Sequence, residues 1–182
     1  MTAQASLAST SITNLNASPR VRPTAGFGGA AKLHSMVDVL PAMTTGATAG
    51  GVLRVIRVPA NAVIKAVYWQ VRATVTTLDC DVGCYYSNTS DGTGAVNVAA
   101  AATAIDADFF ASAVDMKTKA AGWTECTFES AVYNTSMTNT TLWANLGLTG
   151  QPNGYIDICF TNTSTTDGAP ILAMRVDYEM PS

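Results

Sequence analysis

From residue 52 the chain alternates apolar and polar side chains with a period of two. VLRVIRV runs into Pro59, Ala60-Asn61 interrupts, and VIKAVYWQVRATV resumes. That period belongs to a pleated strand, whose successive side chains point to opposite faces, and it is incompatible with the 3.6-residue repeat of a helix. In the second run Val67, Trp69, Val71, Ala73 and Val75 share one face, while Tyr68, Gln70, Arg72 and Thr74 share the other. Proline cannot donate to a ladder, so Pro59 closes the first strand and Ala60-Asn61 forms the turn. The rhythm returns three times. TLDCDVGCYYS sets Leu78, Cys80, Val82, Cys84 and Tyr86 against Asp79, Asp81, Gly83 and Tyr85. GYIDICFTNT opposes Ile156, Ile158 and Phe160 to Asp157, Cys159 and Thr161, and ILAMRVDYEM opposes Leu172, Met174, Val176, Tyr178 and Met180 to Ala173, Arg175, Asp177 and Glu179.

WTECTFES and NTTLWANLGL add two short runs of strand composition. VNVAAAATAIDADFFASAVDM breaks the rhythm: it is alanine-rich, and Asp106 or Asp108 stands as an N-cap before an apolar cluster, which predicts a short helical segment. Strands at regular spacing between Asn, Thr and Gly clusters predict an all-β fold, an antiparallel, jelly-roll-like β-sandwich over residues 51–182. Residues 1–50 differ. They are rich in Ala, Ser, Thr and Gly and carry no sustained period, a composition that suits a tail without fixed structure. Ile12, Leu15, Val21, Phe27, Leu33, Met36, Val37 and Leu40 nevertheless recur along them, as expected of an extended N-terminal arm ordered against a neighbouring subunit.

Only 13% of the residues are charged, against about 25% in an ordinary soluble domain. Thr, Ser and Asn interrupt the apolar residues throughout, so no window approaches the roughly 18 residues of a membrane span, and no membrane partner is expected. Low charge with many short polar side chains suits sheet faces and the centres of protein contacts. The net charge of −3 lacks the basic surplus that holds phosphates, which argues against a nucleic-acid partner. The first basic residue is Arg20 and no apolar core follows a charged start, so a secretory signal is not expected and synthesis in the cytoplasm is.

Residues of the types that carry chemistry are few. The single histidine, His34, lies in the N-terminal segment with no nucleophile near it in sequence. Of the four cysteines, Cys80 and Cys84 are four apart, about 13 Å along a strand, and the others lie far off. Buried thiols are the expected reading, ahead of a disulfide or a zinc site. Asp79/Asp81 and Asp106/Asp108 are candidate calcium ligands or catalytic carboxylates, but no bidentate glutamate follows them, and a solvated strand face or a cap accounts for them more simply. The glycine clusters at Gly26 and Gly92 lack the strand and helix of a phosphate loop. Trp69, Trp123, Trp143, Tyr85, Tyr86, Phe109 and Phe110 suit a core or an interface; a sugar-stacking platform, as in a carbohydrate-binding or adhesin module, is the alternative. No catalytic residue, metal or cofactor is expected.

VLRVIRVPANAVIKAVYWQV, DCDVGCYYS, AIDADFFASAVDM and a final strand at the chain end together resemble small virion proteins of tailed bacteriophages, of the capsid decoration or cement type, over roughly residues 50–180. The resemblance implies a non-enzymatic β-sandwich, a dimeric or trimeric homo-oligomer, bound to the major capsid protein or other virion subunits. It also implies that the chain resides in the virion after synthesis in the host cytoplasm. The long N-terminal segment departs from that pattern; if it is the arm, Leu15, Arg20, Arg22 and Phe27 are its expected contacts.

Overall fold

A computed structural model describes residues 32–40, 43, 49–87, 104–118, 122–150 and 154–181. Their strands are β1 (Leu33–Val39), β2 (Val52–Pro59), β3 (Val63–Val71), β4 (Asp79–Tyr86), β5 (Ala104–Asp115), β6 (Thr124–Glu125), β7 (Tyr155–Asn162) and β8 (Leu172–Glu179). They form two four-stranded sheets, ordered β1-β8-β3-β6 and β2-β7-β4-β5, with every pairing antiparallel. This is the expected β-sandwich.

The alternating residues meet between the layers. Ile64, Val67, Trp69 and Val71 of β3 and Leu172, Met174 and Val176 of β8 join Ile56 and Val58 of β2, Cys80, Val82 and Cys84 of β4, and Ile156, Ile158 and Phe160 of β7 in one core. Pro59 ends β2 as predicted, and the Ala62 amide donates to its carbonyl at 2.9 Å to close the turn into β3.

Two local expectations are corrected. Residues 104–115 are strand, not helix, and Asp106 and Asp108 cap nothing: they lie within β5. Alanine content favours a helix only weakly, and tertiary demands override it. β4 would otherwise expose a row of unpaired amides and carbonyls, and a strand can satisfy them where a helix cannot. The buried Phe109 and Phe110 also anchor β5, with ring centroids 5.4 and 5.2 Å from that of buried Tyr133. The one α-helical turn among the described residues, α1 (Leu142–Asn145), falls instead in NTTLWANLGL, a stretch read as strand, and a 3-10 turn, Thr135–Asn139, leads into it. Asn134 accepts the Ser136 amide at 3.0 Å, and the first amides of α1, Leu142 and Trp143, donate to the carbonyls of Ala62 and Ala60 at 2.8 and 3.1 Å. Polar Asn and Thr here bond their own backbone and turn the chain, which alternation alone does not reveal.

The outer face of the second sheet is also partly covered. β7 is buried without interruption from Ile156 to Phe160, although Asp157 and Cys159 point away from the core. β5 is the cause. Between Cys84 and Val82 its ladder advances from Asp106 to Ala111, so the surplus residues bulge over the sheet, and the backbone of Asp106 and Ala107 presses on Gly83 where any Cβ would stand. Tyr85, expected on the open face, is therefore nearly buried, with its hydroxyl bonded to Thr161. Tyr86, expected inside, is only half-buried.

Candidate assembly surface

The expected arm contacts Leu15, Arg20, Arg22 and Phe27 lie outside the described residues. The nearest described segment is β1, and among the described strands only it and the two-residue β6 are exposed throughout. All seven of its residues are exposed, including Leu33 at 63%, Val37 at 56%, Val39 at 42% and Met36 at 37%. It pairs with β8 on one side and with no described strand on the other. Long exposed edges with apolar side chains are what soluble proteins ordinarily avoid, because such edges recruit further strands.

Register divides β1 between two faces. His34, Met36 and Asp38 oppose Tyr178, Val176 and Met174 on the core side, whereas Leu33, Ser35, Val37 and Val39 oppose Glu179, Asp177, Arg175 and Ala173 outside. His34 stacks on Tyr178 with centroids 5.2 Å apart and 17° between planes, so the histidine has a packing role. On the outer face, β8 carries charge that is locally matched. Arg175 lies 4.0 Å from the Tyr68 centroid and bonds Asp177 at 3.0 Å. Asp177 also accepts the Ser35 hydroxyl at 2.6 Å, and Lys65 pairs with Glu179 at 3.1 Å.

A second polar cluster sits on the opposite sheet. A bulge between Arg54 and Ile56 lets Arg54 and Arg57, three apart in sequence, face the same way. Both meet Asp157, whose side chain is only 4% exposed. Arg57 donates from Nε at 2.6 Å and from Nη2 at 3.0 Å, and Arg54 donates to the same carboxylate and, at 3.0 Å, to the Tyr86 carbonyl. Sequence reasoning placed Asp157 on an open strand face. The bulge that draws two arginines onto it left a signal only in the spacing of RVIR.

The candidate carboxylates do not converge. Asp79 pairs with Lys117 at 3.2 Å, Asp81 accepts the Ala113 amide at 2.7 Å, and Asp106 accepts the Asp108 amide at 3.4 Å. Burial and a side-chain hydrogen bond with Asp108 raise the Asp106 carboxyl above its ordinary range, against the lowering effect of the Asp108 amide. Among the described residues no group of three or more His, Cys, Asp or Glu could hold a metal ion. The four cysteines are unpaired and buried; desolvation pushes Cys80, Cys126 and Cys159 up to about 12 and raises Cys84 well above the ordinary thiol value. Of the aromatics weighed for a sugar platform, Trp69, Tyr85, Phe109 and Phe110 are buried, while Trp123, Trp143 and Tyr86 are half-buried. No helix among the described residues is long and apolar enough to cross a membrane.

With this geometry in hand, likeness to known proteins comes from structure alone. No family model and no curated protein matches the chain. A chain from the capsid of Ralstonia phage GP4 superposes with a TM-score of 0.57 at 13% identity, over 83% of this chain and 86% of that one. A chain from the capsid asymmetric unit of cyanophage Pam1 gives 0.50 at 16% identity, over 100% and 97%. This fold is one found in phage capsids. At such identities the likeness is one of architecture, and no side-chain role passes across it.

Proposed function

We propose that the chain is a non-enzymatic structural protein of a phage virion, one that decorates or cements the capsid and binds the major capsid protein or other virion subunits. The observation that carries the reading is the shared fold over nearly the full length of chains from two phage capsids. The surface is consistent with it. Ion pairs tie Arg54 and Arg57 to Asp157, Lys65 to Glu179 and Arg175 to Asp177, and among the described residues four of the seven exposed large apolar side chains lie on one edge strand. Such a surface suits burial against neighbours more than transformation of a small molecule. In this reading residues 1–50 form the arm, with β1 the part of it that joins the sandwich of residues 51–182, and Leu15, Arg20, Arg22 and Phe27 give the arm its grip, adding a second attachment whose effective concentration raises avidity.

The test is binding of purified full-length protein to capsid shells that lack it. Saturable binding at a fixed number of copies per shell is expected. A full-length variant with Leu15, Arg20, Arg22 and Phe27 all replaced by alanine should bind at least tenfold more weakly. Absence of saturable binding by the native chain would overturn the virion reading. Native binding undiminished in the variant would overturn the role of the arm.

A further inference from the structure

We infer that β1 is a pairing edge for a second copy of this chain: two β1 strands join antiparallel about a two-fold axis at Met36, so that two four-stranded sheets become one of eight. The inference rests on the geometry of β1 and not on the virion reading.

The first observation is the phase of the backbone. One residue past the β1–β8 ladder the Leu40 amide donates to the Leu172 carbonyl at 2.8 Å, which makes that a hydrogen-bonded pair. In an antiparallel ladder such pairs alternate. Residues 38, 36 and 34 therefore direct their amides and carbonyls to β8, and Leu33, Ser35, Val37 and Val39 direct theirs to the open edge. The Val39 amide agrees: it bonds the carboxylate of exposed Asp38, at 2.7 Å, instead of a strand. Outward-pointing groups fall on odd residues, so a second β1 must oppose odd to odd. Pairing about Met36 does this, setting Leu33 against Val39 and Ser35 against Val37 of the other copy.

The second observation is complementarity along that register. LHSMVDV is nearly self-complementary when reversed on itself. His34 meets Asp38 of the second copy, twice by symmetry, on the core side. Leu33 meets Val39 twice on the outer side, and Met36 meets itself. The His34–Asp38 and Met36–Met36 positions fall at non-hydrogen-bonded pairs, where facing side chains approach most closely. His34 is already held by its stack on Tyr178, so its imidazole is placed before the partner arrives. Shifting the axis to Ser35 would leave Val39 unopposed by β1 and set His34 against methionine. The apolar residues Leu33, Val37 and Val39, unusual on a free edge, gain cross-strand partners in the Met36 register. A two-fold contact is isologous, so the same patch serves both copies and the assembly closes.

Cysteine scanning of the full-length chain tests this directly, because the native thiols are buried and leave oxidation to the introduced one. Met36→Cys places two thiols across the axis at a spacing a disulfide can close, whereas Ser35→Cys opposes Val37. Under mild oxidation Met36→Cys should become a covalent dimer at least tenfold faster than Ser35→Cys, and the native protein should show twice the chain mass by light scattering. His34→Asp should lose the dimer, and the exchange His34→Asp with Asp38→His should restore it. A native mass of one chain would overturn the inference. So would a Ser35→Cys that links as fast as Met36→Cys, or a His34→Asp whose dimerisation is unchanged.

Discussion

At Asp157 two arginines converge on a carboxylate with 4% of its side chain exposed, and the ladder bulge before Ile56 is what permits it. A buried charge of this kind is tolerated because both partners and the surrounding hydrogen bonds compensate its desolvation. Asp157→Asn keeps the shape but weakens charge-assisted bonds, and a loss of about 1.5–3 kcal/mol is expected by urea unfolding. Asp167 acts differently. Against some desolvation, the amides of Thr76 and Thr77, at 3.0 and 3.2 Å, lower its carboxyl below 3.8 and tie the segment after β7 to the one after β3. A depressed carboxylate stabilises the fold above its unfolded pKa and loses that contribution as pH falls through the folded one. The Tm difference between native protein and Asp167→Asn should therefore be full at neutral pH and shrink toward zero as acid takes the pH below 3.8. A gap that stays constant into acid would remove the carboxylate from the account. The raised thiols at Cys80, Cys126 and Cys159 predict a third outcome: a thiol-specific reagent at neutral pH should label none of the four cysteines until denaturant is added, and rapid labelling of the folded chain would contradict their burial.

Among the elements, β5 separates what the sequence discloses from what it hides. β8 and the part of β3 beyond its bulge between Ile64 and Ala66 were legible because each buries one face of a regular pleat, so Val67, Trp69, Val71, Leu172, Met174 and Val176 announce the core by position alone. β5 was not, because its ladder slips, its two adjacent phenylalanines are both buried, and its bulge covers Gly83. Irregular pairing erases the period from which strands are recognised. α1 escaped for the converse reason: a single helical turn is too short to show any period. Two substitutions test the β5 description. Phe110→Ala should cost about 3–5 kcal/mol, the loss typical of a fully buried ring, where a surface position would lose almost nothing. Gly83→Ala should lower stability by pushing the Asp106–Ala107 backbone off β4, seen as faster exchange of the β5 amides; a neutral effect on both would place β5 elsewhere. The assembly surface was less legible than the core. Register and hydrogen-bond phase decide what β1 offers, and neither is visible in LHSMVDV until β8 is known to lie beside it.

The described residues form a sandwich around one core, with six ion pairs on its surface and four of the seven exposed large apolar residues on one edge strand. The likeness to chains of phage capsids is one of fold, and in the proposed virion role such a surface would act by being covered. Low charge and the Thr, Ser and Asn content follow from the same demand, because buried contact surfaces admit few uncompensated charges. Quantitative mass spectrometry of purified phage particles from the source of this chain measures the central claim most directly. The account predicts the protein in every preparation, in a fixed ratio to the major capsid protein that survives further purification. Its absence from particles that retain their full complement of capsid subunits would contradict the account.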